Sequence, residues 1–192
     1  PSSDDTTVNG VLYEAATASQ RNTWNSQNSD RVLYGNAVGN YNATHATALT
    51  AVDSTNDTFT KSSLGLLKRV AKGATPKIRP FKTADGYEWF VAFAGTNAFR
   101  DLQVSLETIN KDARAREGRG MDNNPLFQDG DLLYNGVIIR EVPEISDFVS
   151  DVWTSLKTAG NSSARVEPVF FCGQQAAVLG WGQMARNTER KE

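Results

Sequence analysis

The chain contains almost no histidine or cysteine, two side chains that enzymes often use for metal binding and catalysis. Among its 192 residues there is one histidine, His45, and one cysteine, Cys172. A single cysteine cannot form an internal disulfide. Transition-metal sites need several histidine, cysteine or carboxylate ligands close together. We therefore predict no metal site and no cofactor.

Neither of these two residues has the sequence neighbours that catalysis needs. His45 lies in a polar stretch, Asn-Ala-Thr-His-Ala-Thr, and a Ser-His-Asp triad would have to use it. No Gly-x-Ser-x-Gly elbow is present to expose a serine nucleophile. Cys172 ends an apolar run, Val-Phe-Phe-Cys, which is typical of a buried and inert thiol. The sequence therefore predicts no catalytic residue, and we expect a protein that is not an enzyme.

Long hydrophobic runs and a large net charge are also missing. The longest apolar run, Trp89 to Gly95, is far too short to cross a bilayer, so we expect no membrane partner. The formal net charge is only −2, which argues against a chain that binds polyanions over its whole surface.

The charge that is present is unevenly distributed. Residues 61–119 contain twelve basic and six acidic residues, a net charge of +6, whereas residues 1–60 and 120–192 each have a net charge of −4. A molecule with regions of opposite charge can contact copies of itself head to tail. The alternative is that these regions mix in space and are merely solvated.

The segment from Lys111 to Gly120 is both basic and glycine-rich. It lacks the Gly-Lys-Ser/Thr ending of a phosphate-binding loop. It also has no groove-reading motif and no aromatic stacking platform, so we expect no sequence-specific contact with nucleic acid. We predict instead that Arg114, Arg116 and Arg119 contact another subunit.

The first sixty residues show only weak structural signals. Helical spacing of Val8, Leu12 and Ala15 predicts a weak helix from Val8 to about Asn28. Residues 36–58 are rich in Ala, Thr, Asn and Ser, which predicts a long loop or extended arm with little burial. We expect the same of residues 111–122.

The signals are stronger from Thr60 onward. Thr60 is a plausible N-cap for a helix over 61–73, and Asn135-Gly136 predicts a two-residue hairpin turn. Three apolar segments, Tyr87–Ala94, Val137–Val142 and Arg165–Cys172, predict strands of one sheet, the first of them covered on both faces. We further predict an extended segment at 76–80 and a turn at Asp85-Gly86. A helix should begin at Thr96 or Asn97 and end near Val104, or continue after a kink to about Ala115, and residues 145–157 should form a short helix or an irregular insertion. A last helix is predicted at 174–185, and it should pack on the sheet together with the helix at 61–73.

Several segments resemble, in the right order, the major capsid proteins of N4-like tailed phages. The most informative is residues 123–144, reading NNPLFQDGDLLYNGVIIREVPE. The others are RVLYG at 31–35, the helix at 61–73 followed by PKIRP at 76–80, the strand at 87–94, the helix at 96–103, and FFCGQQAA at 170–177 with Trp181-Gly182.

The resemblance implies an α+β protein with the Hong Kong-97-type capsid fold, mainly its axial domain, in which helices flank a central sheet. Residues 1–59 would be the end of the spine helix and a long loop, residues 60–188 the axial domain, and residues 189–192 a truncated tail. Both ends look cut, so we expect a fragment.

The same resemblance implies a structural role in a virion. Copies of the chain would assemble into hexamers and pentamers of a shell around phage DNA, after synthesis in the host cytoplasm, with portal and scaffold proteins as possible partners. Two alternatives stay open: a hydrolase-type enzyme with a site near His45, and another oligomeric virion or scaffold protein. An enzyme should gather carboxylates, His45 or Cys172 in one deep pocket.

Overall fold

The computed structural model describes residues 7–8, 11–117, 127–128, 131–174 and 176, and it describes side chains at 11–107, 132–174 and 176. Helices and strands are mixed within these ranges. The strands are β1 (Thr7–Val8), β2 (Val11–Leu12), β3 (Phe81–Lys82), β4 (Glu88–Ala94), β5 (Phe127–Gln128), β6 (Asp131–Tyr134), β7 (Val137–Glu141) and β8 (Phe170–Cys172). The α-helices are α1 (Ala18–Gln27), α2 (His45–Thr50), α3 (Lys61–Gly73), α4 (Thr96–Glu117) and α5 (Pro143–Asp151), with 3₁₀ turns at Tyr13–Ala15, Val38–Asn40, Thr154–Thr158 and Asn161–Ser163.

The main sheet is organised around β4. This strand pairs in parallel with β7 and antiparallel with β8 and β3, and the path through the sheet is β3-β4-β7-β6-β5. The three strands predicted from apolar segments therefore do lie in one sheet. The third is shorter than predicted, since β8 covers only Phe170–Cys172; the preceding Arg165 and Glu167 bind helices instead of joining the ladder.

The predicted hairpin turn is confirmed at the amino end of β7. Asn135 and Gly136 have φ angles of 50° and 73°, and they join the antiparallel strands β6 and β7. Positive φ at both central positions suits the right-handed twist of the flanking strands.

The first hydrophobic core lies between one face of the sheet and helices α3 and α4. Phe90, Leu64, Leu102 and Ile139 are all at most 1% exposed. Helix α3 begins where predicted, because the Thr60 side chain accepts from Ser63 N and Ser63 reciprocates in a capping box. On the opposite face of β4, Trp89, Val91 and Phe93 are half-buried, so the predicted double cover is only partial in the described structure.

Helix α4 is longer than predicted. It runs unbroken from Thr96 to Glu117, where the sequence suggested an end near Val104 or a kink. Likewise, the segment predicted at 145–157 is resolved into α5 followed by a 3₁₀ turn. The helix predicted at 174–185 lies outside the described residues, apart from Gln174 and Ala176.

A second core overturns the prediction that residues 36–58 are an unburied loop. Ala48, Leu49 and Val52 are each at most 9% exposed and belong to one cluster with Val149 and Leu156. The polar residues of this stretch instead form turns; Asp57, for example, accepts hydrogen bonds from Asn36 N at 2.7 Å and Asp53 N at 3.1 Å. An unburied loop was also predicted for residues 111–122. Residues 111–117 instead belong to helix α4, and residues 118–122 lie outside the described residues.

The weak helix predicted from Val8 to Asn28 is wrong in its first half. Strands β1 and β2 and a 3₁₀ turn occupy that half, and α1 begins only at Ala18. Thr17 sets this start, since its side chain accepts from Gln20 N and the Gln20 side chain accepts from Thr17 N.

Candidate subunit-contact surfaces

The arginines predicted to contact another subunit occur at the carboxyl end of α4. Arg114 and Arg116 lie in its last turns, and Arg119 lies outside the described residues. Cations near a helix carboxyl terminus are favoured by the helix dipole. The position of α4 therefore sets the backbone position of Arg114 and Arg116.

The amino end of α4 is fixed by a polar network. Ser146 Oγ accepts from Thr96 N at 3.0 Å and donates to Glu167 Oε2 at 3.2 Å. Glu167 also pairs with Arg165 at 2.7 Å, and its side chain is only 6% exposed. Burial, with the nearby Glu167 charge, raises the pKa of Asp101 on the same end of α4. These contacts hold α4 firmly against α5.

Helix α3 exposes a stripe of positive charge along its outer face. Lys61, Lys68 and Lys72 follow one another at intervals of seven and four residues, so they share one side of the helix, and Arg69 borders them. We call these four residues the basic stripe. Lys61, Arg69 and Lys72 are exposed, and none of them forms an ion pair within the described part of the chain.

Lys68 anchors the basic stripe to the sheet. Its ammonium group donates to the carbonyl of Asn135 in the β6–β7 turn. Partial burial lowers the pKa of Lys68, and the neighbouring positive charge of Lys72 lowers it further. The Glu88 charge acts in the opposite direction but does not cancel these effects. Like charges are therefore crowded on this face, which is the arrangement expected of a surface that meets negative charge elsewhere.

Helix α5 exposes the opposite charge. Glu144, Asp147 and Asp151 follow one another at intervals of three and four residues and are all exposed, while Val149 on the other side of the helix is fully buried. We call these three residues the acidic stripe. No ion pair involving them occurs among the residues with described side chains.

Sequence reasoning detected the charge imbalance but missed both stripes. The periodic spacing of the lysines on a predicted helix over 61–73 was a usable signal for the basic one. The acidic one required the bounds of α5, which were uncertain because apolar and acidic residues mix in that segment.

His45, the residue on which an enzymatic alternative depends, is committed to a buried network. Its Nε2 is 3.0 Å from the Tyr13 hydroxyl and its Nδ1 is 2.8 Å from the Tyr34 hydroxyl. Tyr34 donates to Asn25 Oδ1 at 2.7 Å, and Asn25 Nδ2 donates to the carbonyl of Asn42. Tyr34 must therefore accept from Nδ1–H of His45, which leaves Nε2 to accept from Tyr13. Both ring nitrogens are occupied.

The other groups that an enzyme would gather are elsewhere. Cys172 lies on β8 in the main sheet, half-buried, and burial raises the pKa of its thiol. An open polar depression beside α1 is lined by Ser19, Asn22 and Thr44 among others, without a carboxylate, histidine or cysteine. No cluster that could hold a metal ion occurs among the described residues. Within the described ranges, no helix is both long enough and apolar enough to span a membrane.

Comparison with known proteins gives one family and one solved structure. A family described as "Phage capsid protein" matches residues 6–191. A solved structure titled "Cyanophage Pam1 capsid asymmetric unit" is 43% identical, with a TM-score of 0.72 over 86% of this chain. The matched part is 44% of that protein, so this chain spans less than half its length. No curated protein matches.

Proposed function

Because the chain belongs to the phage capsid protein family, we propose that it is part of a structural protein of a phage shell, whose copies assemble around the phage DNA. The observation that carries this proposal is the 43% identity to a cyanophage capsid protein over 86% of the chain. At that identity and a TM-score of 0.72, the two proteins share their fold across the whole matched region.

We further propose a specific family and a specific domain for this chain. The chain is the axial-domain core of an N4-like major capsid protein with the Hong Kong-97-type fold: residues 60–188 form the axial domain, residues 1–59 the end of the spine helix with a peripheral-domain remnant, and residues 189–192 a short tail. The mixed sheet around β4, with α3 and α4 on one face, supports a flanked central sheet. Assembly takes place in the host cytoplasm, and portal and scaffold proteins are further partners.

Electron microscopy of the full-length protein tests this function. Shells built of hexamers and pentamers are expected, with density for this domain at the capsomer centres. A full-length protein that stays monomeric in the presence of its scaffold protein, and forms neither capsomers nor shells, would contradict it.

Arg114, Arg116 and Arg119 are proposed to contact an acidic surface of a neighbouring copy. Each exposed pair contributes only about 0–1 kcal/mol, so the effect becomes significant only when summed over many copies. Reversing all three to Glu in the full-length protein should lower the yield of shells while the melting temperature of the monomer stays nearly unchanged. Undiminished shell formation would show that this segment is only a solvated face.

A further inference from the structure

The basic and acidic stripes are at opposite ends of strand β7. Lys68 of the basic stripe binds the carbonyl of Asn135, in the turn just before β7 begins at Val137. The acidic stripe starts at Glu144, just after β7 ends at Glu141. The five residues of β7 therefore separate the two stripes along the strand direction, at about 3.3 Å per residue.

The two helices that carry the stripes both pack against α4. This helix contacts both α3 and α5. Its amino end is fixed to α5 through Thr96 and Ser146, and Lys61 N of α3 donates to Ser105 Oγ farther along α4. The charges are thus carried by helices that are packed on a common support, so their relative position is set by the fold.

We infer that the basic stripe of one copy binds the acidic stripe of a second copy, and that this contact is heterologous. The inference rests on the proposed shell function and names the surfaces through which copies meet. The two stripes are opposite in charge and are each about three turns long or less. Their exposed members form no ion pair with their own chain within the described residues. A contact between two different faces of identical subunits repeats head to tail, and it forms a closed ring when the rotation between copies closes.

A charge swap in the full-length protein tests this contact. The first variant, Lys61→Glu, Arg69→Glu and Lys72→Glu, has two acidic faces; Lys68 is left in place because it binds the Asn135 carbonyl. The second, Glu144→Lys, Asp147→Lys and Asp151→Lys, has two basic faces. Each should raise the protein concentration needed for assembly by about tenfold, since several weak pairs turn from attraction to repulsion.

Combining all six substitutions gives the decisive variant. Its stripes are again complementary, so assembly should return close to that of the wild type. The two triple variants should also bind each other when mixed, in analytical ultracentrifugation at low salt, and dissociate at high salt because exposed charges are then screened. This mixing experiment reports on the contact even if the wild-type protein forms no shells.

A matched control carries the same change of charge at other exposed positions: Lys77→Glu, Arg100→Glu and Lys157→Glu. It should assemble as the wild type does. If the triple variants assemble normally, or if the six-substitution variant fails while its monomer melts normally, the inferred contact is wrong and the shell function stands. Loss of DNA from shells of the first variant, without rescue by the second set, would assign the basic stripe to the genome and overturn the inference.

Discussion

Asn97 and Glu167 are 70 residues apart in the chain, and their side chains meet at 2.7 Å. Asn97 Nδ2 donates to Glu167 Oε1, the same oxygen that accepts from Arg165 Nε. The other carboxylate oxygen accepts from Ser146 on α5. One buried carboxylate thus joins the start of α4, the middle of α5 and the segment that leads into β8.

Replacing Glu167 with Gln should destabilise the monomer by about 1–3 kcal/mol, because the nearly buried carboxylate loses its charge, its ion pair with the more exposed Arg165 is lost and its hydrogen bonds weaken. Urea unfolding measures this free energy. Asp85→Asn, in an exposed turn, is the matched control and should change stability by less than about 0.5 kcal/mol. Equal stability of the two variants would show that the Glu167 network does not hold the helices.

Two glycines offer a paired test of packing. An added Cβ at Gly173 would meet the backbone oxygen of Arg79, which cannot move aside, whereas an added Cβ at Gly65 would have nothing within 4 Å. Gly173→Ala should therefore cost about 1–3 kcal/mol through overpacking. Gly65→Ala in the middle of α3 should stabilise by about 0.5–1 kcal/mol, because alanine favours helix. Thermal unfolding of both variants checks the signs, and a neutral Gly173→Ala would contradict the packing of β8.

The elements that were predictable from the sequence are those with strong local signals. Thr60 caps α3, and Asn135-Gly136 requires a tight turn, whatever the rest of the chain does. Helix α2 had no such signal. It is six residues long, its start at His45 has no side-chain cap, and it is stabilised by burial of Ala48 and Leu49 against residues about a hundred positions away. Tertiary packing of this kind cannot be read from local composition.

For the candidate contact surfaces, too, the sequence predicts the local features but not the long-range arrangement. The net charges of the three segments were visible in the sequence, and Arg114, Arg116 and Arg119 were a direct interpretation of them. That the two stripes are at opposite ends of β7 depends on parallel pairing of β4 with β7, a long-range arrangement that the sequence could not specify.

Removing the Tyr34 hydroxyl should destabilise the protein, because this hydroxyl links Asn25 and His45 in the buried polar network. In Tyr34→Phe, Asn25 Oδ1 loses its donor and His45 Nδ1–H loses its acceptor, both in buried surroundings. An unsatisfied buried group costs about 1–3 kcal/mol, so the free energy of unfolding, measured with urea, should fall by about 1–3 kcal/mol or more. Tyr87→Phe is the control, since Tyr87 is 66% exposed and should tolerate the change. A Tyr34→Phe variant as stable as this control would show that the network contributes little.

Stability should also depend on pH through His45, the single histidine of the chain. Burial lowers the pKa of His45 from its ordinary value, and the Arg21 charge near the Tyr13 ring lowers it further. The unfolded chain therefore binds a proton at His45 more readily than the folded chain does. The stabilisation is complete above the ordinary histidine pKa of about 6.5 and is lost as the pH falls below it toward the folded value.

Urea unfolding at a series of pH values between 7.5 and 5 measures this dependence. The free energy of unfolding should decrease toward pH 5 in the wild type. His45→Gln should be less stable at pH 7.5, because the hydrogen bonds to both tyrosines are altered, but its curve should be flatter through this range. The difference between the two curves isolates the histidine, since both proteins share every carboxyl group. Parallel curves would mean that His45 titrates alike in the folded and unfolded chains, and that its two tyrosine contacts do not favour the neutral ring.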